Sequence, residues 1–192
     1  PGGSSDAFIT KLSPDGSTIV YSTRIGGNGS DSVRDLAIDA SGGAYVVGEV
    51  VPVSGGTATF PFVRATQMQY RGGAADAFAT FVFADGSDFA FSTLLDAGFA
   101  GGIGPGRDRV SSLRVDSATG DVFVAGFVEI NEDDPEIPFI GRYRPDPAPA
   151  GLGKEHAPPQ AVYMFLQILV TEVHDGYLEP PEQFGVKLSI VW

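Results

Sequence analysis

The sequence predicts an all-β fold of short antiparallel strands, and two observations carry this prediction. Residues 6–23 recur at 76–93 without a gap, and nine of the eighteen positions are identical. Each copy also places β-branched and aromatic residues on both sides of an Asp-Gly pair, which favours a hairpin turn. Self-similarity at a fixed spacing is typical of repeat proteins. We therefore expect a chain built from repeated β-hairpins.

The predicted elements follow in order along the chain. The first hairpin turns at Asp15-Gly16, and its repeat turns at Asp85-Gly86. A second type of hairpin follows each of them, with turns at Ala40–Gly43 and Ser117–Gly120. The strands of the first hairpin and of the two copies of the second type are predicted at Ala7–Leu12, Thr18–Thr23, Val33–Asp39, Ala44–Val50, Val110–Asp116 and Val122–Val128. The repeating unit is thus four strands in about 70–80 residues.

The C-terminal third departs from this repeat. A proline-rich stretch at 142–160 is predicted to be an extended linker or a long surface loop. A strand is expected at Ala161–Val170 and a last, apolar one at Phe184–Trp192. We divide the chain into an N-terminal half-blade hairpin (1–27), a first complete repeat (28–100) and a second, divergent repeat with the C-terminal strands (101–192).

Two motifs resemble the β-propeller repeat family often called SBBP. They are residues 6–17 together with Tyr21–Thr23, and residues 35–48. The resemblance is strongest over 6–50, weaker over 76–128 and weakest after 160. It implies about two propeller-like blades, each a twisted four-stranded antiparallel sheet. Because such repeats occur in secreted and surface proteins of prokaryotes, it also implies an extracellular or cell-surface location. It does not imply an enzymatic activity.

Composition excludes several classes of function. A net charge of −12 argues against a nucleic-acid partner, since the phosphate backbone selects basic surfaces. The chain has no cysteine, which excludes disulfides and zinc–thiolate sites. No apolar run is long enough for a membrane span. His156 and His174 are the only histidines, and no nucleophile motif accompanies them, so we expect no enzyme.

The blade count supplies the main functional expectation. A closed propeller has 4–8 blades, whereas this chain holds about two and a half repeats. The N-terminal hairpin is then an outer half-blade with no inner half, and such an edge invites pairing with another chain. We expect self-association, as a filament or sheath, between this hairpin and the last strand. The residues expected at the contact are Phe8, Leu12, Ile19, Tyr21, Phe184, Val186, Leu188, Ile190 and Trp192. The alternative is an adhesive module that binds surface glycan or protein.

Two further sites are predicted with competing explanations. The acidic residues Asp133, Asp134 and Glu136 could bind calcium through carboxylate oxygens, but a solvated acidic loop has the same composition. No other cofactor is expected. Asn28 begins an Asn-Gly-Ser sequon, which marks a glycosylation acceptor in an exported protein or arises by chance.

Overall fold

A computed structural model describes residues 3, 5–53, 59–65, 67–70, 74–95, 107–129, 136–144, 160–167 and 187–190. Over these residues the regular structure consists of β-strands without a helix, so the predicted all-β class is confirmed. The part of the chain described here accordingly contains no helix that could cross a membrane. The strands are β1 (Ala7–Leu12), β2 (Ile19–Ile25), β3 (Ser30–Ile38), β4 (Ala44–Val51), β5 (Asp76–Val82), β6 (Phe89–Leu94), β7 (Asp108–Val115), β8 (Val122–Val128), β9 (Ile137–Arg144), β10 (Gln160–Gln167) and β11 (Lys187–Ile190).

The strands form three antiparallel sheets. β1 and β2 pair with each other as a two-stranded sheet, called the hairpin sheet below. β3, β4, β5 and β6 pair in chain order as a four-stranded sheet, the first blade. The second blade consists of β7, β8 and β9 in chain order, continued by β10 and then β11. Neighbouring strands in each sheet are thus also neighbours in sequence and run antiparallel, which is the order of a β-meander.

The Asp-Gly turns have the chemistry that the sequence predicts. Gly16 and Gly86 adopt φ angles of 72° and 71°, in the left-handed region that glycine occupies without strain. Asp15 and Asp85 each accept a hydrogen bond from the backbone N–H two residues later. Hydrogen bonds from Ser13 and Ser17 lower the pKa of Asp15 to about 2. The side chains of Asp15 and Asp85 therefore stabilise the turns in which they lie.

The middle strands of the first blade, β4 and β5, are buried on both faces because the blade lies between the other two sheets. Along β4, Ala44, Val46 and Val50 point to one side and Tyr45 and Val47 to the other, as expected for the two-residue period of a strand. The first side packs against the hairpin sheet, in a core formed by Ala7, Ile9, Ile25, Ala44, Val46, Val50, Phe60, Phe78, Val82 and Leu94. The second side packs against the second blade, where the core includes Phe81, Phe91, Val110, Leu113, Val124 and Phe139.

The same backbone contact joins each sheet to the next. The N–H of Asp31 in β3 donates to the carbonyl of Ser5, at 2.9 Å. At the equivalent place in the next repeat, the N–H of Asp108 donates to the carbonyl of Ala75, at 3.0 Å. Side chains add to this link, since Asp35 accepts a hydrogen bond from the N–H of Leu113 at 2.8 Å. The three sheets are therefore stacked by a repeated geometry.

Candidate functional site

The outward side of the hairpin sheet is an exposed apolar surface. Phe8 is 72% exposed, Ile19 is 62% exposed and Leu12 is 51% exposed. Leu12 pairs directly with Ile19, and Phe8 lies on the same side of β1 because residues two and four apart share a face. We call these three residues the outer hairpin face. It contains three of the residues that the sequence predicts for assembly.

Tyr21 lies on the opposite side of the hairpin sheet. It is half-buried against the core shared with the first blade, and its ring lies over Gly86 in the turn between β5 and β6. A Cβ atom at Gly86 would lie only 2.3 Å from Cγ of Tyr21. Tyr21 therefore fastens the hairpin sheet to the first blade, and is not part of the outer hairpin face.

In the second copy of the hairpin, the surface equivalent to the outer hairpin face is covered. Phe78 and Val82 occupy the positions of Phe8 and Leu12 in the second copy, and both are fully buried. They are covered by the inward side chains of the hairpin sheet, among them Ile9 and Ile25. A sheet ahead of the hairpin sheet would cover Phe8 and Leu12 in the same way. No such sheet is found in the residues that the structure describes.

The strand edges differ between the copies as well. β5 pairs with β4 on one side and with β6 on the other. Its counterpart β1 forms a ladder only with β2 among the described strands, apart from the single bridge between Ser5 and Ser30. Most of one edge of β1 therefore offers backbone groups that could pair with a further strand.

The C-terminal strand pairs within the second blade and not with the hairpin sheet. β11 runs antiparallel to β10, from Met164 opposite Ile190 to Gln167 opposite Lys187. It is the last strand of the second blade in the described sheet order. Leu188 and Ile190 lie in β11, whereas Phe184, Val186 and Trp192 are outside the described residues.

The predicted calcium residues are only partly described. Asp133 and Asp134 lie outside the described residues, as do His156 and His174. Glu136 accepts a hydrogen bond from Arg109 at 2.7 Å and so forms an exposed ion pair. Within the described ranges, no three His, Cys, Asp or Glu side chains converge so that they could hold a metal ion.

The predicted sequon lies at the joint between the hairpin sheet and the first blade. The side-chain oxygen of Asn28 accepts a hydrogen bond from the N–H of Thr59 at 2.9 Å. The hydroxyl of Ser30 lies 2.6 Å from that of Ser5. Both polar residues of the sequon thus take part in local contacts, and glycosylation at Asn28 stays a prediction.

Sequence reasoning missed a buried charge cluster between the two blades. Glu49 in β4 has a side chain only 3% exposed, and it accepts hydrogen bonds from Arg34 at 3.0 and 3.2 Å and from Arg107 at 2.8 Å. Burial raises the pKa of Glu49, but the two guanidinium groups outweigh it and lower the pKa overall. Since Arg107 is 58 positions away in the chain, no local pattern could reveal this cluster.

A second buried carboxylate lies between the hairpin sheet and the first blade. Asp31 is buried, and one of its oxygens accepts a hydrogen bond from the N–H of Gly27 at 2.8 Å. Its other oxygen has no partner among the described residues. Burial and the nearby charge of Asp6 raise the pKa of Asp31, against the effect of the Gly27 hydrogen bond. Asp31 recurs as Asp108 in the second repeat, and this identity was the available sequence signal.

Stacked antiparallel sheets with repeated Asp-Gly hairpins are consistent with the blades of a β-propeller-type repeat module. The comparison with protein families gives the particular repeat. Residues 20–49, from β2 through most of β4, match the SBBP β-propeller repeat. The resemblance predicted from the sequence is thus confirmed over this stretch. Such repeats are typical of secreted and surface proteins. Comparison with curated proteins finds no match.

Proposed function

We propose that this chain is a non-enzymatic structural module of an extracellular or cell-surface protein, and that it self-associates by completing its half-blade with another copy. The observation that carries this proposal is the contrast between Phe8 and Phe78. These residues hold the same repeat position, yet one is 72% exposed and the other is fully buried. An exposed apolar surface whose counterpart in the second copy is covered is a natural interface.

Two kinds of contact support association at this end. Burying one large apolar side chain contributes about 1.5–3 kcal/mol, and the outer hairpin face offers three of them. The edge of β1 adds backbone hydrogen bonds when a further strand pairs with it. The face or the edge alone is small compared with a stable interface, so the two are expected to act together.

The other half of the contact is assigned to β11 of a second copy. β11 ends the described strand order of the second blade, while β1 lies in the hairpin sheet at the other end of the stack. A contact between two different surfaces is heterologous, and it propagates when the rotation does not close. Repeated addition of copies in this way produces a filament or sheath.

The first test removes the outer hairpin face. The double variant Phe8→Ser and Ile19→Ser is expected to sediment as a smaller species than the unchanged chain at the same concentration. Met68→Ser is the matched control, since Met68 is equally exposed, at 63%, and lies outside the hairpin sheet. Sedimentation velocity measures the difference. Equal assembly of the double variant and the control contradicts the proposal.

The second test removes the assigned connector. A chain that ends at residue 183 lacks β11 and is expected to stay monomeric or to form only small species. Electron microscopy of both chains shows whether long assemblies depend on this segment. If the shortened chain assembles as before while the hairpin variant does not, the hairpin is an interface but β11 is not its partner.

A second candidate is a module that binds glycan or protein at a cell surface. The charged side chains between the two blades, which include the Glu49 cluster and the Arg109–Glu136 pair, favour it. A stable monomer that binds polysaccharide would support this candidate over self-association.

A further inference from the structure

A cleft of about 240 Å³ opens between the first and second blades. Its size is slightly below that of pockets for drug-sized ligands, so it suits a smaller molecule. Strands β3, β4, β7 and β8 and the residue before β9 contribute to its walls. The lining residues are Arg34, Glu49, Arg109, Val110, Ser111, Phe127 and Glu136.

Two arginines, Arg34 and Arg109, line the cleft together with two glutamates, Glu49 and Glu136. Glu49 is shared by Arg34 and Arg107, and Glu136 pairs with Arg109. Arg107, which is outside the cleft lining, adds a third guanidinium group against the two carboxylates, whereas the whole chain has a net charge of −12. The buried Nε–H of Arg107 also has no acceptor among the described residues.

The internal repeat indicates that this cluster is not part of the common scaffold. Backbone contacts that stack the sheets recur in both copies, as Asp31 with Ser5 and Asp108 with Ala75 show. The charged residues of the cleft do not recur. The repeat aligns Glu49 with Phe127, Arg34 with Ser111, and Arg109 with Ser32.

The Arg109–Glu136 pair is the part of the cleft that can change partners. Both side chains are partly exposed, and an exposed ion pair adds little to stability. Arg109 can therefore exchange the carboxylate of Glu136 for that of a ligand, with a similar charge-assisted hydrogen bond. Phe127, which is partly exposed in the same cleft, offers an apolar surface beside it.

We propose that this cleft binds a carboxylate-bearing ligand about the size of one acidic sugar ring. The carboxylate pairs with Arg109, near the group of positive charges, and the ring lies against Phe127. This site is separate from the outer hairpin face, and it does not depend on self-association.

The test is a titration of the full chain with D-glucuronate, followed by the backbone amide signals in NMR spectra. Signals of Ser111 and Phe127 are expected to shift, whereas D-glucose, which lacks the carboxylate, leaves them unchanged. Arg109→Gln is expected to weaken binding about tenfold. Glu136→Gln removes the internal competitor and is expected to tighten binding several-fold.

Arg114→Gln is the matched control, since Arg114 is on the same strand as Arg109, is exposed, and lies outside the cleft lining. Its dissociation constant for glucuronate is expected to equal that of the unchanged chain. The proposal is wrong if glucuronate causes no shifts, if glucose causes the same shifts, or if Glu136→Gln binds no more tightly. The comparison of Glu136→Gln with the unchanged chain can be made even if Arg109→Gln fails to fold.

Discussion

The hairpin sheet and the β5–β6 hairpin are two copies of one sequence in different surroundings. Thr10 and Ser22 form a hydroxyl hydrogen bond of 2.8 Å at the surface, and Thr80 and Ser92 form the same bond at 2.8 Å inside the first blade. The local geometry is thus the same in both copies. What differs is the number of covered faces, one in the first copy and two in the second. The sequence motif therefore determines the geometry of the hairpin, and the neighbouring sheets determine which of its faces are buried.

The largest expected effect comes from the paired phenylalanines. Phe78→Ala is expected to lower the free energy of unfolding by about 3–5 kcal/mol, because it leaves a cavity in the core beside Phe60. Phe8→Ala is expected to change it by less than about 0.5 kcal/mol, since the side chain is exposed. Urea denaturation at low protein concentration, where association is minimal, measures both. Equal losses would mean that Phe8 is covered within a single chain.

The paired turn glycines are expected to differ less. Gly16→Ala is expected to cost about 1–2 kcal/mol, because alanine is strained at a φ of 72° and meets open space. Gly86→Ala carries the same strain and also collides with the ring of Tyr21, so about 2–4 kcal/mol is expected. Thermal unfolding measures the order of the two. If both cost the same, Tyr21 does not pack on Gly86 in solution.

The smallest effect compares the two buried carboxylates as the pH changes. The pKa of Asp31 is raised in the folded protein, so the folded protein binds a proton at Asp31 more tightly than the unfolded chain does. The contribution of Asp31 to the free energy of unfolding therefore falls as the pH rises through that raised pKa. The pKa of Glu49 is lowered, so its contribution is present above the ordinary glutamate range and is lost as pH falls through the lowered pKa. The free energy of unfolding, measured by denaturation between pH 3 and 8, should show both changes: a loss at low pH from Glu49 and a decline with rising pH from Asp31.

Asp31→Asn serves to separate the two slopes. The amide oxygen of asparagine can still accept the hydrogen bond from Gly27 without carrying charge. The decline of stability with rising pH should therefore disappear, while the acid-side loss from Glu49 stays. An unchanged decline would show that another group causes it.

Local sequence signals predicted most of the strands. The predicted turns and the β-rich runs around them placed β1, β4 and β8 within a residue of their bounds, because hairpins depend on neighbouring residues. β3 was expected from Val33 and begins at Ser30. The early start reflects the contacts of Ser30 and Asp31 with Ser5, which lies 25 positions from Ser30. Contacts at such separations are not visible in a local pattern.

The side chains at the interfaces were harder to predict. Phe8, Leu12 and Ile19 were expected at an open surface and are exposed, but Tyr21 was grouped with them and lies on the other side. A register shift between Lys11 and Leu12 alters the pairing of this hairpin, and simple alternation does not predict it. The charge cluster at Glu49 was missed because its partners are 15 and 58 positions away.

The burial of β4 on both sides limits how the protein can change during evolution. Seven consecutive residues, Ala44–Val50, lie inside, so β4 has almost no position where a mutation would be neutral. The outward side of the hairpin sheet is free of this constraint. New specificities can therefore arise at the end of the stack while the centre keeps its sequence.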